Sequence, residues 1–178
     1  MKRIRVKDKD FEVFIPEEKI EEAISRIAGS INEEMIGQDP VFLVVLNGAF
    51  MFAADLFKKL NMPCEISFVK LASYSGTSTS ATVRELIGLN SSLKGRQVVI
   101  VEDIIDTGIT MDHLIGKLVA LGVADIRIAA LFFKPQAFRR DFRIDYIGLE
   151  IPNDFIVGYG LDYDGYGRNY AEIYKITE

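Results

Sequence analysis

Three largely apolar runs, Val41–Leu46, Gln97–Val101 and Ile126–Phe133, the first of them uninterrupted, alternate along the chain with segments of helical period. That alternation leaves few folds open. Strands that are apolar at every position are buried on both faces, as strands are in a parallel sheet covered by helices. A further strand is expected over Cys64–Leu71. Between the strands, Ile20, Ala23, Ile24, Ile27, Ile31 and Met35 recur at helical spacing from Pro16 to Ile36, and a second helix is expected over Ala49–Leu60. Thr110–Leu121 places Met111, Leu114, Ile115 and Leu118 on one side and stops at Gly122. Such a series implies an α/β fold, a mainly parallel twisted sheet wound by right-handed crossovers and flanked by helices. Ligands of these sheets sit at the carboxyl ends of the strands. After Pro135 the pattern changes to short strands, about Ile144–Glu150, Phe155–Tyr159 and Ala171–Ile176, punctuated by glycines, which reads as a small β cap.

The whole chain, 1–178, is expected to be one domain. Its core spans about 16–134, its cap about 135–178 with the N-terminal segment, and a polar loop about 73–86 stands between. Of 178 residues, 49% are hydrophobic and 26% charged, as in a globular protein. A formal net charge of -5 argues against broad contact with nucleic acid, so an anionic substrate needs a local device. The one cysteine, Cys64, cannot form an internal disulfide, which fits a reducing compartment. The chain starts without an apolar stretch of signal-peptide type and contains no run of about 18 apolar residues, so a cytoplasmic protein without a membrane partner is expected.

The segment richest in chemistry is VVIVEDIIDTGIT, Val98–Thr110. Four apolar residues lead to Glu102 and Asp103, and Asp106 follows three positions later. A solvated acidic turn is one reading, but Ile104 and Ile105 between the acids suit an exposed loop poorly. Thr107, Gly108, Ile109 and Thr110 then lead into a helix, where free backbone N–H groups and short hydroxyls form a phosphate cradle. Acids beside such a cradle suit a ligand with phosphate on one face and sugar hydroxyls or magnesium on the other.

This run resembles the phosphoribosyl-pyrophosphate signature of the type I phosphoribosyltransferases, specifically their hypoxanthine-guanine branch. The resemblance implies that Glu102 and Asp103 meet ribose hydroxyls and magnesium, that Asp106–Thr110 hold the 5′-phosphate, and that Asp106 is the acid/base near the purine imidazole. Ile109 stands where many relatives carry Lys. LNGAF, Leu46–Phe50, is similar to the family's pyrophosphate loop, where the peptide before the second residue can be cis; Asn47 replaces the usual basic residue, leaving Asn47 and Gly48 a backbone contact to pyrophosphate. Read alone, Asn47 is a helix cap. Ser73 and Tyr74 match the pair that opens the family's mobile catalytic loop, and the Ser/Thr-rich stretch behind them suits a lid, though alone it is only a polar loop.

Lys134, a surface lysine on its own terms, falls where the family donates to the 6-oxo group of the base. IPNDFIVGYGLDYDGYGR resembles the purine-binding and metal-binding stretch. It implies Phe155 stacked on the base, Ile156 offering backbone groups, Asp162 facing magnesium and the purine edge, and Arg168 on pyrophosphate. A Tyr- and Gly-rich β cap is the simpler alternative. The implied activity is magnesium-dependent transfer of a phosphoribosyl group to hypoxanthine or guanine, in a homodimer or homotetramer. Rival readings are a transferase for xanthine or another base, and a regulatory protein that binds phosphoribosyl pyrophosphate as a signal. His113 lacks partners at ligand spacing and Cys64 lacks a CxxC or triad context, so both read as structural. No GxxxxGK[ST] loop or GxGxxG fingerprint occurs.

Overall fold

The computed structural model describes residues 2–74, 82–87 and 93–177. The chain opens with two strands, β1 (Arg3–Val6) and β2 (Lys9–Ile15), followed by α1 (Glu17–Glu34), β3 (Val41–Leu46), α2 (Phe50–Phe57), β4 (Glu65–Tyr74) and β5 (Thr82–Ile87). It continues through β6 (Gln97–Ile105), α3 (Ile109–Leu121), β7 (Asp125–Phe133), β8 (Tyr146–Glu150), β9 (Ile156–Val157) and β10 (Ile173–Ile176). The main sheet has the order β5-β4-β3-β6-β7-β8. Its strands β4, β3, β6, β7 and β8 run parallel, and β5 adds an antiparallel edge.

Successive side chains of a strand point to opposite faces, and here both faces are covered. Phe42, Val44, Val99, Val101, Ala129 and Leu131 meet the apolar stripe of α1 and the core of α2. Val41, Leu43, Val45, Val98, Ile100 and Ala130 meet Met111, Leu114 and Leu118 of α3. All six apolar residues named for the first helix are buried. Pro16 takes the N-cap position of that helix rather than its first turn.

A second sheet, antiparallel in the order β1-β2-β10-β9, forms a hood from the two ends of the described chain. Phe11, Val157 and Tyr174 fill one face of it. The strand expected in the cap from Ile144 instead joins the main sheet: β8 pairs in parallel with β7, Ala129 opposite Tyr146 and Phe133 opposite Glu150. The reason is burial, because Tyr146 and Ile151 belong to the core beneath α1. The expected loop 73–86 also changes, since residues 82–86 lie in β5, which pairs with β4. Residues 75–81 of that expected lid lie outside the described residues.

At the β7–β8 seam, a Cβ on Gly148 would overlap the Leu131 carbonyl oxygen. Gly148→Ala is expected to lower stability by about 1–3 kcal/mol through overpacking, measured as a fall in the urea midpoint at unchanged m-value.

Candidate active site

The strand-end acids are less exposed than a turn would make them. β6 runs on past Val101 to Ile105, with Glu102 opposite Ala130 and Ile105 opposite Phe133. Glu102 and Asp103 are therefore sheet residues, and only Asp106 lies beyond the ladder. The amide of Lys134 donates to the Ile105 carbonyl at 3.0 Å. This extra rung brings Lys134 beside the residue after Ile105, and its Nζ stands 3.7 Å from Asp106 Oδ2. Among the described residues, Glu102 and Lys134 are the charged residues buried as a whole, at 8% and 9% exposure. Burying charge is costly unless it is paired or put to use.

A pocket opens under the following loop, lined by Glu102, Ile104, Ile105, Asp106, Thr107, Gly108, Ile109, Thr110 and Met111. Gly108 is the N-cap of α3 at φ 84, a left-handed conformation that favours glycine. A Cβ there would come within 2.8 Å of the Phe138 ring. The first α3 amides have no carbonyl of an earlier turn to bind, and only a long 3.5 Å contact joins the Ile109 amide to Thr107 Oγ1. The geometry is that of an anion cradle. Ile109 projects to solvent at 40% exposure, so its side chain leaves the backbone available.

Each acid of the pair accepts from the backbone amide of the next residue. The Asp103 amide donates to Glu102 Oε1 at 3.2 Å, and the Ile104 amide to Asp103 Oδ1 at 2.9 Å. Burial, reinforced by the neighbouring Asp103 charge, pushes the Glu102 carboxyl well above its ordinary value. Burial also raises Asp103, against its hydrogen bonds and the Arg168 charge. The Asp103 carboxylate fills the space beside Gly48, where a Cβ would overlap it.

The Leu46–Asn47 peptide is cis. Asn47 does not cap the next helix: the cap position is Ala49, without a side-chain hydrogen bond. Across the site, a Cβ on Gly160 of the hood would overlap the Gly48 carbonyl oxygen, so the two backbones touch. Arg168 donates from Nη1 to the Gly160 carbonyl at 2.6 Å and pairs through Nη2 with Asp162 Oδ1 at 2.7 Å. The other Asp162 oxygen accepts from the Gly165 amide at 2.6 Å.

The expected metal set of Glu102, Asp103 and Asp162 does not converge. Among the described residues, no group of three or more acids, histidines or cysteines gathers as a metal cage. Asp162 is occupied by Arg168 and Gly165. Magnesium, however, keeps several waters and takes phosphate oxygens with only one or two protein carboxylates. The pair of buried Glu102 and half-buried Asp103, whose charge burial disfavours, fits that role.

Phe155 is 45% exposed and stands on the hood, edge-on to Tyr163 at 5.8 Å and tilted to Phe11 at 6.3 Å. Ile156 is buried in the core. Ser73 and Tyr74 close β4. His113 is exposed, and Cys64 is a free, half-buried thiol against the α1–α2 core. The sequence reading missed Gly160, whose Gly-Tyr-Gly context looks like any turn. It also missed Phe138 and Arg139, which back the phosphate loop, the Arg139 amide donating to the Thr107 carbonyl at 3.3 Å.

The raised Glu102 carboxyl has a defined sign. The folded state binds its proton more tightly than the unfolded chain does, so this group's stability is full below the unfolded value and falls as pH rises through the folded one. With a chelator present, Glu102→Gln is expected to exceed the parent in urea stability at about pH 8, with the difference shrinking toward about pH 5. A variant less stable than the parent at the higher pH contradicts this.

The phosphoribosyl transferase domain model matches residues 16–164. A hypoxanthine-guanine phosphoribosyltransferase of Mycobacterium tuberculosis is 37% identical over 168 residues, spanning 90% of this chain and 83% of that protein. The enzyme of the same name from Aquifex aeolicus is 32% identical over 180 residues, covering both chains completely. The solved hypoxanthine-guanine phosphoribosyltransferase of Bacillus anthracis superposes with a TM-score of 0.88 at 32% identity, covering 93% of this chain and 98% of that one. The fold agrees with these likenesses, and the chain belongs to the phosphoribosyl transferase family.

Proposed function

We propose that this protein is a purine salvage enzyme that transfers the phosphoribosyl group of phosphoribosyl pyrophosphate to hypoxanthine or guanine, releasing pyrophosphate. The observation that carries this reading is the meeting of Lys134 and Asp106 at the mouth of an anion cradle, in a chain whose relatives bear that enzyme's name. The amides of Thr107 to Thr110 hold the 5′-phosphate. Glu102 and Asp103 face the ribose hydroxyls and would hold magnesium, which would supply positive charge to the leaving pyrophosphate. Asn47 and Gly48 offer backbone to the pyrophosphate, and Arg168 offers a guanidinium suited to paired oxygens.

Lys134 donates to the 6-oxo group while Phe155 covers the ring and Ile156 lends backbone groups to its edge. Asp106 accepts the imidazole proton as the bond from purine nitrogen to sugar carbon forms and the carbon–pyrophosphate bond breaks. Binding of the base draws Lys134 away from Asp106 beforehand, so the freed carboxylate faces the developing sugar cation until it takes the proton. Preference for a 6-oxopurine follows from the donor at Lys134, since an amino group at that position offers it no good acceptor. A cytoplasmic setting fits the lone, unbridged cysteine. Self-association fits Ile66 and Phe68 of β4, apolar and each 41% exposed; light scattering that finds only monomer counts against it.

Pyrophosphate release is measured with hypoxanthine, guanine, xanthine and adenine in turn, at fixed phosphoribosyl pyrophosphate and magnesium. Turnover with the first two and little with adenine is expected. Turnover confined to xanthine favours the rival acceptor, and binding without turnover on any base favours a regulatory protein. Asp106→Asn is expected to cut kcat by roughly 10²–10⁴-fold while phosphoribosyl pyrophosphate still binds; near-parental kcat removes Asp106 from the proton-transfer role.

A further inference from the structure

Tyr159 joins the hood to the core in a way that the chemistry above does not use. It is a non-glycine residue at φ 44, a backbone conformation that L side chains rarely adopt, and it is only 5% exposed. Its hydroxyl reaches out of the hood and donates to Asp55 Oδ2, on the helix that follows the pyrophosphate loop. The other Asp55 oxygen is held by Lys58 Nζ at 2.6 Å. Burial alone would raise the Asp55 carboxyl, but these two hydrogen bonds together with the charges of Lys58 and Lys59 keep it below its ordinary value, so it remains an anionic acceptor.

The neighbour of Tyr159 is Gly160, whose backbone lies against the Gly48 carbonyl and whose own carbonyl holds the Arg168 guanidinium. The Gly160 amide in turn donates to the Arg168 carbonyl at 3.0 Å, so loop and arginine move as one body. Tyr159 is tied at its main chain as well, its amide donating to the Tyr170 carbonyl at 2.8 Å. The side-chain tie to Asp55 therefore fixes where that body sits over Gly48.

We propose that the Tyr159–Asp55 hydrogen bond is a positioning pair that sets the distance between Arg168 on the hood and the Asn47–Gly48 backbone on the core, and so tunes the site for pyrophosphate rather than for the purine or the 5′-phosphate. Neither residue touches substrate. The anion cradle and Lys134 hang on β6 and β7, and Phe155 and Ile156 are anchored by β10, through the Ile176 amide on the Phe155 carbonyl at 3.0 Å and the pairing of Ile156 with Lys175, so the latch bears chiefly on the pyrophosphate end. The inference rests on the assignment of Arg168 and Gly48 to the leaving group.

Calorimetric titration of the intact protein in magnesium, with inorganic pyrophosphate and separately with inosine monophosphate, tests it. The parent is expected to bind both, and a parent that binds neither defeats the functional reading itself. Tyr159→Phe, which keeps the buried ring, is expected to weaken pyrophosphate roughly tenfold, the scale of one hydrogen bond to a charged group, while inosine monophosphate changes by less than about twofold. In turnover the same variant raises KM for phosphoribosyl pyrophosphate and spares KM for hypoxanthine. Asp55→Ala should reproduce this from the more exposed partner, and Asp55→Asn, whose amide oxygen still accepts from a phenol, should stay near the parent. Equal losses for both ligands, no loss in either disrupting variant, or Asp55→Asn behaving as Asp55→Ala overturns the proposal.

Discussion

The site depends on one ladder. Pairing between β6 and β7 extends from Gln97 opposite Asp125 to Ile105 opposite Phe133, and one further bond ties Lys134 to Ile105. Because side chains along a strand alternate, this register decides what faces the helices and what emerges at the carboxyl edge. A slip of one residue would send Val99 and Val101 to the α3 side and separate Lys134 from Asp106. The apolar residues that hold the register, not the acids, therefore place the chemistry.

Those acids oppose the fold that carries them. Glu102 is among the least exposed charged residues described, and burial and Asp103 both favour its neutral form. A surface carboxylate would cost the fold nothing but would also hold cation and sugar weakly, in competition with water. A ligand bound at these acids would close the free-energy gap, which would link binding to stability at this position.

Much of the core could be read from the chain. The α1 stripe from Ile20 to Met35 and the runs at Val41, Val98 and Ile126 have periods that match their burial, because burial is what selects those residues. The acid-rich segment and its loop were legible for a different reason: few purposes other than ligand binding bring Glu102, Asp103, Asp106 and Gly108 together after a buried strand. Other features were hidden. The β1–β2 hairpin mixes charge with apolar residues on a half-exposed sheet, where alternation is weak. The β8 strand is short and follows a long irregular connection, so only the neighbour it meets, β7, reveals which sheet it joins. Contacts such as Gly160 on Gly48 join positions far apart in the chain, and no local pattern records them.

The hood sheet is woven from both ends of the described chain, with Ile176 opposite Phe11 and the Thr177 amide on the Asp10 carbonyl. During synthesis the main sheet and the loop above β6 can assemble once β8 has emerged, while β2, paired with β1, waits for its second partner β10, encoded more than a hundred residues later. The part of the site at the strand ends, with its anion cradle, is thus made early from neighbouring segments, and the hood is closed last. A nascent chain would pass through a form that holds the anion cradle, Asp106 and Lys134 before Phe155 and Ile156 of the hood are in place.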